Sequence, residues 1–188
     1  MKNKILILFA LICFSGSLFG QTFSSQVSDT LIKNFLTWVT KPVHFDSQNC
    51  PAPECTVDFV SSKIVEFDTL ALKLSLETIK KENLDSVFSA QDITFMKSQQ
   101  QEFSHFKTWN SSILPFNYVN PELLSDSNTE KYWELSFPLF TINKQYCIAI
   151  SNISCKEDHY CFVKYIAVFQ RKANGNWTII KEIMHMEY

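Results

Sequence analysis

Four runs decide the fold: Tyr132–Phe140 (YWELSFPLF), Tyr146–Ser154 (YCIAISNIS), Cys161–Lys172 (CFVKYIAVFQRK) and Trp177–Ile183 (WTIIKEI). Each is rich in β-branched and aromatic residues and is bounded by turn residues, which is the pattern of successive antiparallel strands. Asn174-Gly175 gives the clearest hairpin turn, since both residues tolerate positive φ, and Asn143-Lys144 offers a second, two-residue turn. Pro138 cannot donate to a ladder, so the first strand is expected at an edge or broken there.

Pairing the second and third runs symmetrically about Lys156–Tyr160 sets Ile153 opposite Val163, Ser151 opposite Tyr165 and Ala149 opposite Ala167. The same register sets Cys155 opposite Cys161. Directly opposed residues stand about 4.5–5.5 Å apart at Cα, within the span a disulfide accepts. Cys147 lies eight strand residues from Cys155, about 26 Å at full extension, and cannot join that pair. The two inward sets of side chains are expected to be Ile148, Ile150, Ile166, Val168 and Ile179 on one face, and Ala149, Ala167, Phe169 and Ile180 on the other. Both are apolar, so both faces of the sheet should be covered.

Upstream, Val27, Leu31, Ile32, Phe35, Leu36 and Val39 recur at three and four residues, which predicts a helix over 25–40 with Trp38 beside its buried stripe. Ser89 with Asp92 three residues on marks the start of a second helix over 89–103, with Ile93, Phe95, Met96 and Phe103 as its apolar positions. Gln99, Gln100, Gln101 and Glu102 are expected to form its wet face. Leu70, Leu72, Leu74 and Leu76 alternate with Ala71, Lys73, Ser75 and Glu77, the period of a strand over 69–77. Asn110–Lys131 reads as loop. Together these give an α+β domain: N-terminal amphipathic helices packed on a C-terminal antiparallel meander of about four strands, with the leucine stretch as a fifth member.

Lys2 and Lys4, the apolar run Ile5–Phe14 and the small residues that follow to Gly20 have the order of a secretory signal peptide over 1–20, expected to be removed after Gly20. Residues 21–188 then form one exported domain, periplasmic or secreted, with no membrane-spanning stretch left. The 17 basic and 19 acidic side chains give −2, and loss of Lys2 and Lys4 with the leader takes the formal charge to −4. Without a clustered basic surface, nucleic acid is not a partner class. The remaining cysteines are Cys50, Cys55, Cys147, Cys155 and Cys161, an odd number in an oxidising compartment. Bridges Cys50–Cys55 and Cys155–Cys161 leave Cys147 as a free thiol, read as a small buried hydrophobe.

Phe137-Pro138-Leu139-Phe140, then Tyr146-Cys147 and the strand into Cys155, then Cys161 and Asn174-Gly175-Asn176-Trp177, resemble the C-terminal half of a group of small exported proteins of Bacteroidetes-type bacteria. In those proteins a helix like Asp92-Ile93-Thr94-Phe95-Met96 often comes before. The resemblance implies the fold and carries no activity, cofactor or site residue. This chain departs from it at Asn143-Lys144, where Asp-Gly is usual, and at Lys156, where glycine is usual.

No catalytic, cofactor or metal site is expected. His44, His105, His159 and His185 lack the spacing of a metal pair. The mature chain has a single glycine, Gly175, and so no nucleophile elbow. Glu157-Asp158-His159 reads as a solvated hairpin tip. The function expected is a non-enzymatic exported domain that binds a protein, secreted or of the envelope, or another envelope component. A small hydrolase with an unrecognised site and an inhibitor or immunity-type partner are the alternatives.

Overall fold

The computed structural model describes residues 23–41, 57, 59–67, 81–109, 116–120, 122, 131–155 and 163–187. It is an α+β fold with the elements α1 (Asp29–Val39), β1 (Phe59–Ile64), α2 (Ala90–Phe103), β2 (Tyr118–Val119), β3 (Lys131–Leu135), β4 (Leu139–Phe140), β5 (Tyr146–Cys155), β6 (Val163–Arg171) and β7 (Trp177–Glu187). The sheet has seven strands in the order β2-β1-β3-β5-β6-β7, with β4 also on β5, so it is larger than a four-strand meander. Sequence periodicity missed β1 and β2. β1 runs parallel to both β2 and β3, and the crossover that parallel pairing needs contains α2.

The β5–β6 register is the one expected: Ile153 opposite Val163, Ser151 opposite Tyr165, Ala149 opposite Ala167. Pro138 breaks the first run into β3 and β4. Between them the count slips by one residue, from Leu135 opposite Ser151 to Leu139 opposite Ile148. Ser136 bridges the slip, since its N–H donates to Ile150 O (3.0 Å) and its Oγ accepts from Ile150 N–H (2.9 Å). Ladder bonding therefore continues through a side chain where a proline follows two residues later.

The turns are longer than two residues. Gly175 N–H donates to Lys172 O and Lys172 N–H to Asn176 O, which makes a three-residue loop with only Gly175 at positive φ (+83°). Such a loop is a type I turn closed by one left-handed residue, so Asn174 does not need the left-handed region. At the β4–β5 turn that position falls to Lys144 (φ +59°), whose Nζ lies 3.8 Å from the centre of the Phe95 ring. Cation–π attraction there offsets part of the backbone cost that a glycine would avoid.

Both faces of the sheet are buried. Ile148, Ile150, Ile166 and Val168 are at most 2% exposed on one face, and Cys147, Ala149, Ala167 and Phe169 are equally buried on the other. Ile179 is corrected to the second face, because it stands opposite Phe169 while Lys181 stands opposite Val168. Ile180 is the extra residue between those pairs and is turned outward at 38% exposure. α1, capped by Ser28 Oγ on the Leu31 N–H, covers the second face. Phe35 meets Phe169, Trp177 and Phe140 edge-on at 5.0, 5.2 and 6.2 Å, and Trp38, in the core as expected, meets Phe169.

α2 begins with the expected capping box, Ser89 and Asp92 bonding each other's backbone N–H. Its expected wet face is corrected at Gln99, which is fully buried. Gln99 Nε2 donates to Phe140 O (2.7 Å) and its Oε1 accepts from Phe140 N–H (2.9 Å). At the end of β4 the Thr141 N–H donates to Tyr146 O and the Thr141 Oγ1 accepts from the Tyr146 N–H, so the neighbouring Phe140 directs both of its backbone groups away from β5. The amide of Gln99 does there what another strand would do.

Candidate functional site

Beside this clasp, a pocket of about 190 Å³ opens between the C-terminal half of α2 and the chain leaving β1. Gln100, Phe103 and Ser104 share one helix face at positions i, i+3 and i+4 and form one wall. Ile64, Val65, Glu66 and Phe67 form the opposite wall, Phe106 closes the end, and Phe137 with Leu139 makes the floor.

The local sequence explains each wall. Val65 N–H still donates to Leu135 O (3.0 Å), after which the chain leaves the sheet, and Gln100 Nε2 donates to Phe67 O (3.2 Å) and pins it against α2. α2 ends at Phe103, and Phe106 N–H bonds back to Phe103 O, so both rings turn to the same side. The β3–β4 break frees Phe137 from the ladder. Its ring stacks on Phe103 at 4.2 Å and 7° between planes, and also meets Phe23, Trp109 and Phe106 at 5.0, 4.6 and 5.8 Å.

The pocket is chiefly apolar, and its polar groups are already engaged. Ser104 Oγ donates to Gln101 O (2.7 Å), and the exposed Glu66 pairs with Lys107 at the rim. Away from the pocket lining, Lys63 pairs with Glu122 at 2.5 Å, with both side chains more than half exposed. Such exposed pairs add little stability. On β2, burial pushes the Tyr118 phenol up to about 12, so it stays a neutral donor.

The cysteines do not converge on this pocket. Cys147 is free and fully buried opposite Phe169, and burial pushes its thiol far above the ordinary value. Cys155 ends β5, in register with Lys131. Cys50, Cys55 and Cys161 lie outside the described residues, as do the leucine stretch 69–77, the Glu157-Asp158-His159 tip and the leader. Among the described residues no two cysteines stand at disulfide distance. Nor, among those residues, do three of His, Cys, Asp and Glu gather to hold a metal. No helix among them is long and apolar enough to cross a membrane. His105 is exposed just past Ser104, and His185 pairs by backbone with Tyr165.

Sequence reasoning missed the residues that build the pocket. Pro138 was the available signal, since a break in an aromatic strand must redirect the ring beside it. Comparison with protein-family models, with characterised proteins and with solved structures gives no match.

Proposed function

We propose that this chain is an exported, non-enzymatic domain that binds a secreted or envelope protein by taking one ring-sized apolar side chain of that partner into the Phe-walled pocket. The observation that carries the reading is the pocket itself: about 190 Å³, open to the surface and lined by Phe67, Phe103, Phe106 and Phe137. An apolar cavity of about 150 Å³ already takes a benzene ring. Four phenylalanines offer edge-to-face contacts to such a ring, and anchor residues of this kind carry most of the energy of protein interfaces. An inhibitor or immunity-type role is a narrower form of the same reading. For a hydrolase, Ser104 and Glu66 would have to leave their present partners, Gln101 O and Lys107.

Ser104 is exposed at the rim and caps the C-terminus of α2, so Ser104→Trp places a ring in the mouth without disturbing the core. A partner captured from the envelope fraction by the wild type and lost from S104W, with folding unchanged, supports the proposal. Equal capture by both overturns it.

A further inference from the structure

We propose that the ring taken by the pocket is a tyrosine of the partner, and that Gln100 selects it by accepting the proton of the phenol hydroxyl. This rests on the binding reading above and adds the chemistry of the side chain that is bound.

Size sets the first limit. A cavity of about 150 Å³ holds benzene, so a pocket of about 190 Å³ leaves about 40 Å³ beyond a single ring. A water-sized group takes about 30 Å³, so one hydroxyl fits and the second, fused ring of an indole does not.

Hydrogen-bonding capacity sets the second. Gln100 Nε2 donates to Phe67 O (3.2 Å), and because a carbonyl only accepts, that bond fixes which way the amide faces. The amide's Oε1 is left open, since among the described residues no donor meets it. Ser104 Oγ gives its proton to Gln101 O and keeps its lone pairs, while Glu66 engages Lys107 through Oε1 and keeps Oε2. Against these acceptors the side chains of the lining hold one spare donor, the second hydrogen of the Gln100 amide. Where the pocket is polar it is therefore electronegative, and its complement is a group with a proton to give. A phenylalanine ring brings none. A phenol supplies one proton and can accept the spare N–H in return, while its ring meets Phe103, Phe106 and Phe137. Ser104 and Glu66 are exposed, so water competes at both. Gln100 is half-buried, and its bond to Phe67 O already holds the amide in place, so little ordering is left to be done on binding.

The test titrates the protein with analogues of three side chains, toluene for phenylalanine, p-cresol for tyrosine and skatole for tryptophan, following the Ile64, Val65 and Leu139 methyls. In the wild type p-cresol should bind roughly fivefold more tightly than toluene, the worth of one net hydrogen bond, and skatole should not compete with it. Gln100→Lys keeps a donor for Phe67 O and removes the acceptor. In Q100K toluene should bind as it does to the wild type, and p-cresol should lose its advantage. Toluene equalling p-cresol in the wild type, an advantage of p-cresol that persists in Q100K, or skatole equalling p-cresol overturns the tyrosine assignment while the pocket stands. Failure of all three to bind saturably overturns the binding reading, and the assignment with it.

Discussion

Replacing Gln99 with leucine tests how the sheet ends at β4. The substitution keeps the volume and removes both hydrogen bonds to Phe140, at 2.7 and 2.9 Å, in a site with no solvent access. A buried backbone group left without a partner costs about 1–3 kcal/mol. Two of them sum to about 2–6 kcal/mol, less a fraction recovered because leucine has no amide to desolvate. With a urea m-value of about 2 kcal/mol/M, the unfolding midpoint should fall by about 1–2 M. Gln99→Glu adds a second reading of the same contact. Its carboxylate can accept from Phe140 N–H but faces the Phe140 carbonyl with no proton to donate, so Q99E should be weakest near neutrality. Burial raises the pKa of such an acid, and once protonated the introduced carboxyl can donate to the carbonyl, so the deficit against wild type should narrow as pH falls. Midpoint losses below about 0.3 M in Q99L, or a Q99E deficit that does not change with pH, would refute the surrogate-strand account.

Two further predictions concern ionisable groups. Burial alone would raise the Asp92 carboxyl, but bonds from the Ser89 hydroxyl, the Ile142 N–H and the Ser89 N–H outweigh it and hold the group below 3.8. A depressed acid stabilises the fold above its unfolded pKa and loses that contribution as pH falls through the folded value. Wild type should therefore lose more of its urea midpoint below pH 4 than Asp92→Asn does, and equal slopes would count against the clamp. Cys147 should resist alkylation in the native protein and react on unfolding. In the unreduced protein we expect a Cys155–Cys161 linkage and a Cys50–Cys55 linkage, with Cys147 in neither. A peptide joining Cys147 to another cysteine would contradict that assignment.

How legible this was depended on the range of the contacts involved. The β5–β6 pairing could be read because alternation and a short connection leave one register with apolar side chains on both faces. α1 and α2 could be read because caps and three-and-four spacing are local signals. β1 was hidden, since Val60-Ser61-Ser62-Lys63-Ile64 has no clean alternation and is a strand only through its parallel neighbours. Gln99 was misread because a polar residue in a polar run looks solvated, and its partner is the backbone of Phe140, far along the chain. The β7 bulges shifted Ile179 to the other face for the same reason: a one-residue slip reverses every side chain beyond it. The pocket depends on three such distant events, the exit of β1, the end of α2 and the break at Pro138, and no single stretch of sequence announces it.

The binding reading is tested most directly by titrating the protein with benzene while following the methyl resonances of Ile64, Val65 and Leu139. These three residues line the pocket beside the phenylalanines. The account predicts saturable shifts confined to these methyls and their neighbours, and their loss in S104W. Shifts that do not saturate, that spread over the surface, or that persist in S104W would contradict it.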